Sequence, residues 1–141
     1  MERLVYLIDT NVFLEGLLEQ ENFESVQTFF QNVPIENIHI TDLSLHSIGI
    51  ILYQLKKYDL FKRFIDDMIA DGINILSISP IDLTNLNITV QKLYLDFDDA
   101  YQYFVADKYD LQMISFDKEY LDLISPKNIK PLNPHLWNLL R

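Results

Sequence analysis

The chain opens on a short continuous apolar run, Leu4 to Ile8, of the kind buried in a parallel strand, and the run stops on Asp9. From Val12 to about Val33 the apolar spacing becomes three and four residues, through Phe13, Leu17, Leu18, Phe23, Val26, Phe29 and Phe30. That spacing predicts helix, and the polar "EQEN" divides it in two. "NIHIT", Asn37 to Thr41, predicts a second strand, after which Thr41 or Asp42 caps a helix carrying Leu43, Ile48, Ile51, Leu52 and Leu55. Helix resumes from Phe61 to Ala70 after a turn near Asp59, Gly72 stops it, and Ile73 to Ile78 predicts a third strand. Ser79-Pro80 opens a helix through about Tyr94, since serine caps and proline is tolerated in a first turn. "FDDAYQYFVADKYD" is again helical, with Ala100, Phe104 and Asp107 on neighbouring turns of one face. Leu111 to Ser115 predicts another strand, Lys127 to Leu132 a weaker edge strand, and "HLWNLL" a short closing helix.

Alternating strands and helices predict an α/β fold, a parallel sheet covered on both faces and connected by right-handed crossovers. At 141 residues and 49% hydrophobic, the chain suits one domain spanning 1–141, with no repeat, low-complexity segment or linker. "MERLVYLID" reads as a first strand and not as a signal peptide, and no apolar stretch approaches the roughly 20 residues needed to cross a bilayer. Lys and Arg total 11 against 21 Asp and Glu, a formal charge of -10. Such a surface repels nucleic acid and acidic membranes, so an RNA or DNA partner needs local basic residues or bridging cations. Absence of cysteine excludes disulfides, thiolate metal sites and cysteine nucleophiles, and suits a reducing cytoplasm.

Chemistry in an open parallel sheet gathers beyond the carboxyl ends of its strands. Asp9 follows the first strand, Asp42 begins the helix after the second, Asp98 and Asp99 open the helix before a later strand, and Asp117 follows that strand by two residues. Carboxylates held together repel one another unless a cation neutralises them, and Mg²⁺ and Mn²⁺ prefer hard oxygen ligands. A cation so placed orients a water and offsets charge on an attacked phosphate, which is the chemistry of phosphodiester hydrolysis. Each acid also has a local role open to it: Asp9 and Asp42 as caps, Asp98 and Asp99 as complements to a helix dipole, Asp117 as a turn acid. His46 suits packing or the surface, and His39 and His135 carry no visible motif. Asp9, Asp99 and Asp117, at matching ends of successive strands, favour a site.

"YLIDTNVFLEG" resembles the opening motif of the PIN domain family, in which a strand ends on a metal-binding aspartate followed by Thr or Ser and Asn. "FDDAYQYFVADKYDLQMISFDKEY" resembles its later signature, here Asp99-Ala100, Ala106, Ser115, Asp117 and Tyr120, and "IKPLNP" looks like its final strand. The resemblance covers essentially the whole chain. It implies a three-layer α/β/α sandwich with a mostly parallel central sheet, and Mg²⁺- or Mn²⁺-dependent cleavage of RNA. Many small bacterial members are toxins held by an antitoxin, and such members often form homodimers. By position, Asp9, Asp99 and Asp117 become metal ligands and catalytic residues, Asn11 and Ser115 supporting hydrogen-bond partners, and Asp98 the alternative ligand if the register shifts by one. The family's usual glutamate on the helix after the second strand is missing: "ITDLSLHSIGIIL" places Ser47 there, with His46 beside it. Asp42 and His46 share a helical face four residues apart, which allows a rearranged ligand set or, the favoured reading, a cap-to-histidine contact.

Two functions compete. One is a metal-dependent endoribonuclease, cytoplasmic and toxin-like, acting on single-stranded RNA; the other is a catalytically weakened PIN-like module that binds RNA or a protein partner. A phospho-acceptor receiver shares a strand-end acid and a late Lys130-Pro131, but its central acid should end a strand, and Asp59 sits in helix and turn. Lys56, Lys57, Lys62 and Arg63 are the one basic concentration, expected as a solvated helix face. Tyr101, Tyr103 and Phe104 lie inside a helical pattern and are core or interface candidates before base-stacking platforms.

Overall fold

The computed structural model of the chain describes residues 5–93 and 95–116. Strands β1 (Tyr6–Ile8), β2 (Ile38–Thr41), β3 (Asn74–Leu76) and β4 (Gln112–Ile114) alternate with helices α1 (Thr10–Leu17), α2 (Phe23–Asn32), α3 (Asp42–Gln54), α4 (Tyr58–Asp71), α5 (Pro80–Leu93) and α6 (Phe97–Lys108). All described strands pair in parallel, in the order β3-β2-β1-β4, with Tyr6 opposite Ile38 and Ile8 opposite Ile114. The expected final strand at Lys127–Leu132 and the closing helix lie outside the described residues.

Strand side chains alternate between two helical layers. Tyr6, Ile8, Ile38, Ile40 and Ile114 pack with Phe13, Val26, Phe29, Ile48, Leu52 and Met68 from α1 to α4. Leu7 and Met113 face the other way, onto Leu86 of α5 and Ala100, Tyr103 and Val105 of α6. The result is a three-layer α/β/α sandwich. Within the first layer, Gly49 lets the Phe61 ring press on α3: a Cβ there would stand 3.0 Å from the ring.

Local chemistry fixes most element ends. Thr41, not Asp42, caps α3, its hydroxyl accepting from Ser44 N at 2.9 Å. Ser79 and Asp82 form a reciprocal capping box at the start of α5, with Pro80 in its first position. Lys108 of α6 reaches back to Asp82 at 2.6 Å, tying the two helices of that layer. Gly72 closes α4 in the left-handed region at φ 79°. Three other helices end on residues that must adopt that conformation with a side chain: Glu19 after α1, Lys56 after α3 and Asp110 after α6. The turn between α3 and α4 therefore falls at Lys56, three residues before its expected place near Asp59, which lies inside α4.

The strand order places a switch point in the sheet. From β1 the chain steps outward to β2 and β3, then crosses back through α5 and α6 to lay β4 on the other side of β1. Helices leave the β1–β4 seam in opposite directions, so a crevice opens there beyond the carboxyl ends of the strands.

Candidate active site

Asp9 sits at that seam. Its backbone N–H continues the ladder onto Ile114 O at 2.9 Å, and its backbone carbonyl begins α1 by accepting from Val12 N. Its side chain accepts from Thr10 N at 2.8 Å, so Asp9 is indeed the N-cap of α1. A cap of this kind is ordinarily solvated, yet Asp9 is only 5% exposed. Donors distant in sequence complete its environment: Gln102 Nε2 reaches Oδ1 at 2.7 Å and Ser115 Oγ reaches Oδ2 at 2.6 Å. Charge-assisted bonds of this length replace the hydration that burial removes. Thr10 N and Gln102 thus both meet Oδ1, and Ser115 orients Oδ2.

The elements around Asp9 are tied into a closed circuit. Thr10 and Ser44 share a hydrogen bond at 2.7 Å between their hydroxyls, joining the first turns of α1 and α3. Asp42, at the start of α3, accepts from Leu43 N and from the Tyr101 hydroxyl, each at 2.8 Å. Tyr101 and Gln102 are consecutive on α6, so one helix holds both acids that begin helices at this sheet edge. The Tyr101 hydroxyl also accepts from Ile78 N at 3.3 Å. Burial, reinforced by the Asp42 carboxylate taking its proton in a hydrogen bond, pushes the Tyr101 phenol up to about 12.

Asp99 is half-buried and Asp98 exposed. Asp99 precedes Gln102 by three residues, so helical spacing sets the two side by side on α6. Asn11 Oδ1 accepts from Phe116 N at 3.4 Å, fastening the first turn of α1 to the segment leaving β4. Asp117 lies outside the described residues, and among those described no group of three His, Cys, Asp or Glu is arranged to hold a metal. The Asp42–His46 contact expected from helical spacing is not the one formed. His46 is exposed, and Asp42 turns to Tyr101, which α6 delivers from across the fold. Ser47, in the usual glutamate slot, is half-buried.

Gln102, Tyr101, Thr10 and Ser44 were not read as site residues from sequence. Gln102 had a signal: a polar residue at a position one turn after Asp99, on a face the neighbouring aromatics mark as core. It is 3% exposed, and its Oε1 is a buried oxygen with no hydrogen-bond partner among the described residues. Leaving such an oxygen unpaired costs about 1–3 kcal/mol.

A family model for the PIN domain matches residues 6–124, and the chain belongs to that family. Among curated proteins none matches the sequence. Similar solved structures include VapC20 of Mycobacterium tuberculosis, described as a sarcin-ricin loop cleaving toxin, at 11% identity over 92% of this chain and 99% of that one, with a TM-score of 0.75. A toxin-antitoxin complex from Klebsiella pneumoniae matches at 21% identity over 82% of this chain and 89% of that chain, with a TM-score of 0.64. FitAcB from Neisseria gonorrhoeae matches at 16% identity over 93% and 99% respectively, with a TM-score of 0.68. At these identities the likeness is one of fold.

Proposed function

We propose that the protein is a metal-dependent endoribonuclease that cleaves single-stranded RNA in the cytoplasm as the toxin of a toxin-antitoxin pair. The observation that carries this reading is Asp9: a carboxylate kept in a 95% buried residue at the switch point, gripped by donors from α6 and β4's end as well as by its own helix. A structural cap needs none of those remote donors. The donor set fits a hard divalent ion: carboxylates of Asp9 and Asp99, an amide oxygen unpaired among the described residues, and hydroxyls, with no thiolate because the chain has no cysteine. Asp9, Asp99 and Asp117 would hold Mg²⁺ or Mn²⁺, and the bound ion would polarise the phosphate and acidify a water for attack.

The chain's own residues do the positioning. Ser115 and Gln102 hold the Asp9 carboxylate in one rotation, so its oxygen lone pairs are oriented before substrate arrives. Asn11 fixes the segment that leads from β4 toward Asp117. Among the described residues the basic cluster stands away from the site: Lys56 and Lys57 follow α3, which starts at the site edge and carries the chain about 20 Å away over its 13 residues. Lys62 is paired with Asp66 at 2.7 Å. In a chain of formal charge -10, a bound cation would help to attract a polyanion.

An antitoxin partner has a surface to meet. An apolar groove of about 350 Å³ runs between α1, α2 and α4, lined by Phe13, Leu17, Phe23, Phe30 and Phe64, with Asp67 and Asp71 exposed beside it. It suits a segment with apolar side chains and a basic flank. The decisive experiment compares cleavage of single-stranded RNA by the native chain and by Asp9→Asn in Mn²⁺ or Mg²⁺; equal cleavage by both refutes this site.

The missing acid at Ser47 favours a second reading, a PIN module with weakened chemistry that binds RNA or a protein. Sub-millimolar Mn²⁺ binding that is lost in Asp117→Asn would tell against it.

A further inference from the structure

We propose that Gln102 is a positioning residue of the metal site, in which Nε2 fixes Asp9 while Oε1 accepts a hydrogen bond from a water of the cation's hydration shell, in place of the glutamate absent at Ser47. The inference rests on the metal-dependent reading above and deepens it.

The orientation of the amide is decided by chemistry. The atom 2.7 Å from Asp9 Oδ1 must be the nitrogen, because a carboxylate there can only accept and an amide oxygen can only accept as well. The oxygen is then forced to the other side of the same planar group. There it is buried and without a partner among the described residues, although buried carbonyl oxygens in native folds are almost always paired. The same amide touches Asp9 through its nitrogen, and Asp99 stands one turn earlier on α6. An unpaired acceptor beside carboxylates lacks a donor, and water polarised by a divalent ion is a strong one.

Charge explains why an amide serves. With Ser47 in the glutamate slot, the acids assigned to the ion number three: Asp9, Asp99 and Asp117. A neutral oxygen adds an acceptor to the ion's surroundings without adding carboxylate repulsion. It also supplies, through Nε2, an orienting bond to Asp9 that a glutamate could not donate.

The test uses the full chain and Mn²⁺ alone as probe, by calorimetric titration and by thermal unfolding in chelator and in Mn²⁺. Gln102→Met, which keeps the volume and removes both polar atoms, should weaken Mn²⁺ binding roughly ten- to a hundredfold. Gln102→Glu sets a second carboxylate against Asp9. Its midpoint should fall below that of the native chain in chelator and should rise by more than the native chain's when Mn²⁺ is added. If Gln102→Met does not fold, the Gln102→Glu comparison carries the test, and a midpoint indifferent to Mn²⁺ overturns the proposal. Equal Mn²⁺ affinity in the native, Met and Glu forms, with affinity lost in Asp9→Asn, would make Gln102 a packing residue and leave the metal reading standing. No Mn²⁺ binding by the native chain would overturn both.

Discussion

Ser115 donates its hydroxyl to Asp9 Oδ2 at 2.6 Å across 106 residues of sequence, locking the end of β4 to the end of β1. Both partners are buried, so Ser115→Ala leaves a carboxylate oxygen short of a donor that water cannot readily replace. We expect a loss of about 1.5–3 kcal/mol, the range for hydrogen bonds to charged groups. Urea unfolding monitored by circular dichroism measures it, and a change within about 0.5 kcal/mol would show the bond to be incidental.

Asp9→Asn keeps the shape of the side chain and its acceptor oxygen for Thr10 and Gln102, while the new amide can donate to Ser115. The variant should therefore fold with an unchanged far-ultraviolet spectrum. Lost charge should lower Mn²⁺ affinity by at least about tenfold and reduce RNA cleavage with it. A variant that folds and cleaves like the native chain removes Asp9 from the chemistry.

Tyr101 makes a pH prediction. Burial and the bond to Asp42 raise its phenol to about 12 in the folded chain, above the ordinary value of 10.0. A folded value above the unfolded one means that the stabilisation is complete below pH 10 and drains away as pH climbs from 10 toward 12. In Tyr101→Phe that dependence should vanish, leaving a smaller stability difference from the native chain at pH 11 than at pH 8. Ultraviolet titration of the tyrosines should show late-ionising groups, because burial raises Tyr103 as well, and Tyr101→Phe should lose one of them. A native titration without a late phase would contradict the burial argument.

Lys56 ends α3 at φ 59°, with Lys57 N bonded to Leu52 O and Lys56 N to Tyr53 O in a complete Schellman turn. A left-handed conformation strains any residue with a Cβ, and the lysine side chain is exposed. Lys56→Gly should stabilise the chain by about 0.5–1 kcal/mol, readable as a higher denaturant midpoint. A lower midpoint would mean that the lysine contributes something the turn geometry does not show.

These same turns explain which parts of the fold were legible. The apolar run into Asp9, the break at "EQEN" and the stop at Gly72 are local signals, and each element they bound is present. The α3–α4 turn carries no glycine, so hydrophobic spacing ran past Lys56 and set the break near Asp59. At the site, Asp9 was readable because a carboxylate ending an apolar strand is conspicuous. Gln102 was marked only faintly, by the aromatics beside it, because a glutamine in a helix otherwise looks like surface until the fold shows that it faces Asp9. Asp42 was paired with the wrong partner for a related reason. Spacing along α3 offers His46, whereas Tyr101 arrives from 59 positions later.

The bonds that complete Asp9 all close late in the chain: Gln102 lies 93 residues downstream and Ser115 lies 106. A polypeptide emerging from the ribosome thus carries its first acid long before α6 and β4 can clasp it, and pairings of such separation form slowly. An unfinished chain therefore lacks the clasp on its first strand-end acid until the last described helix and strand have both been made.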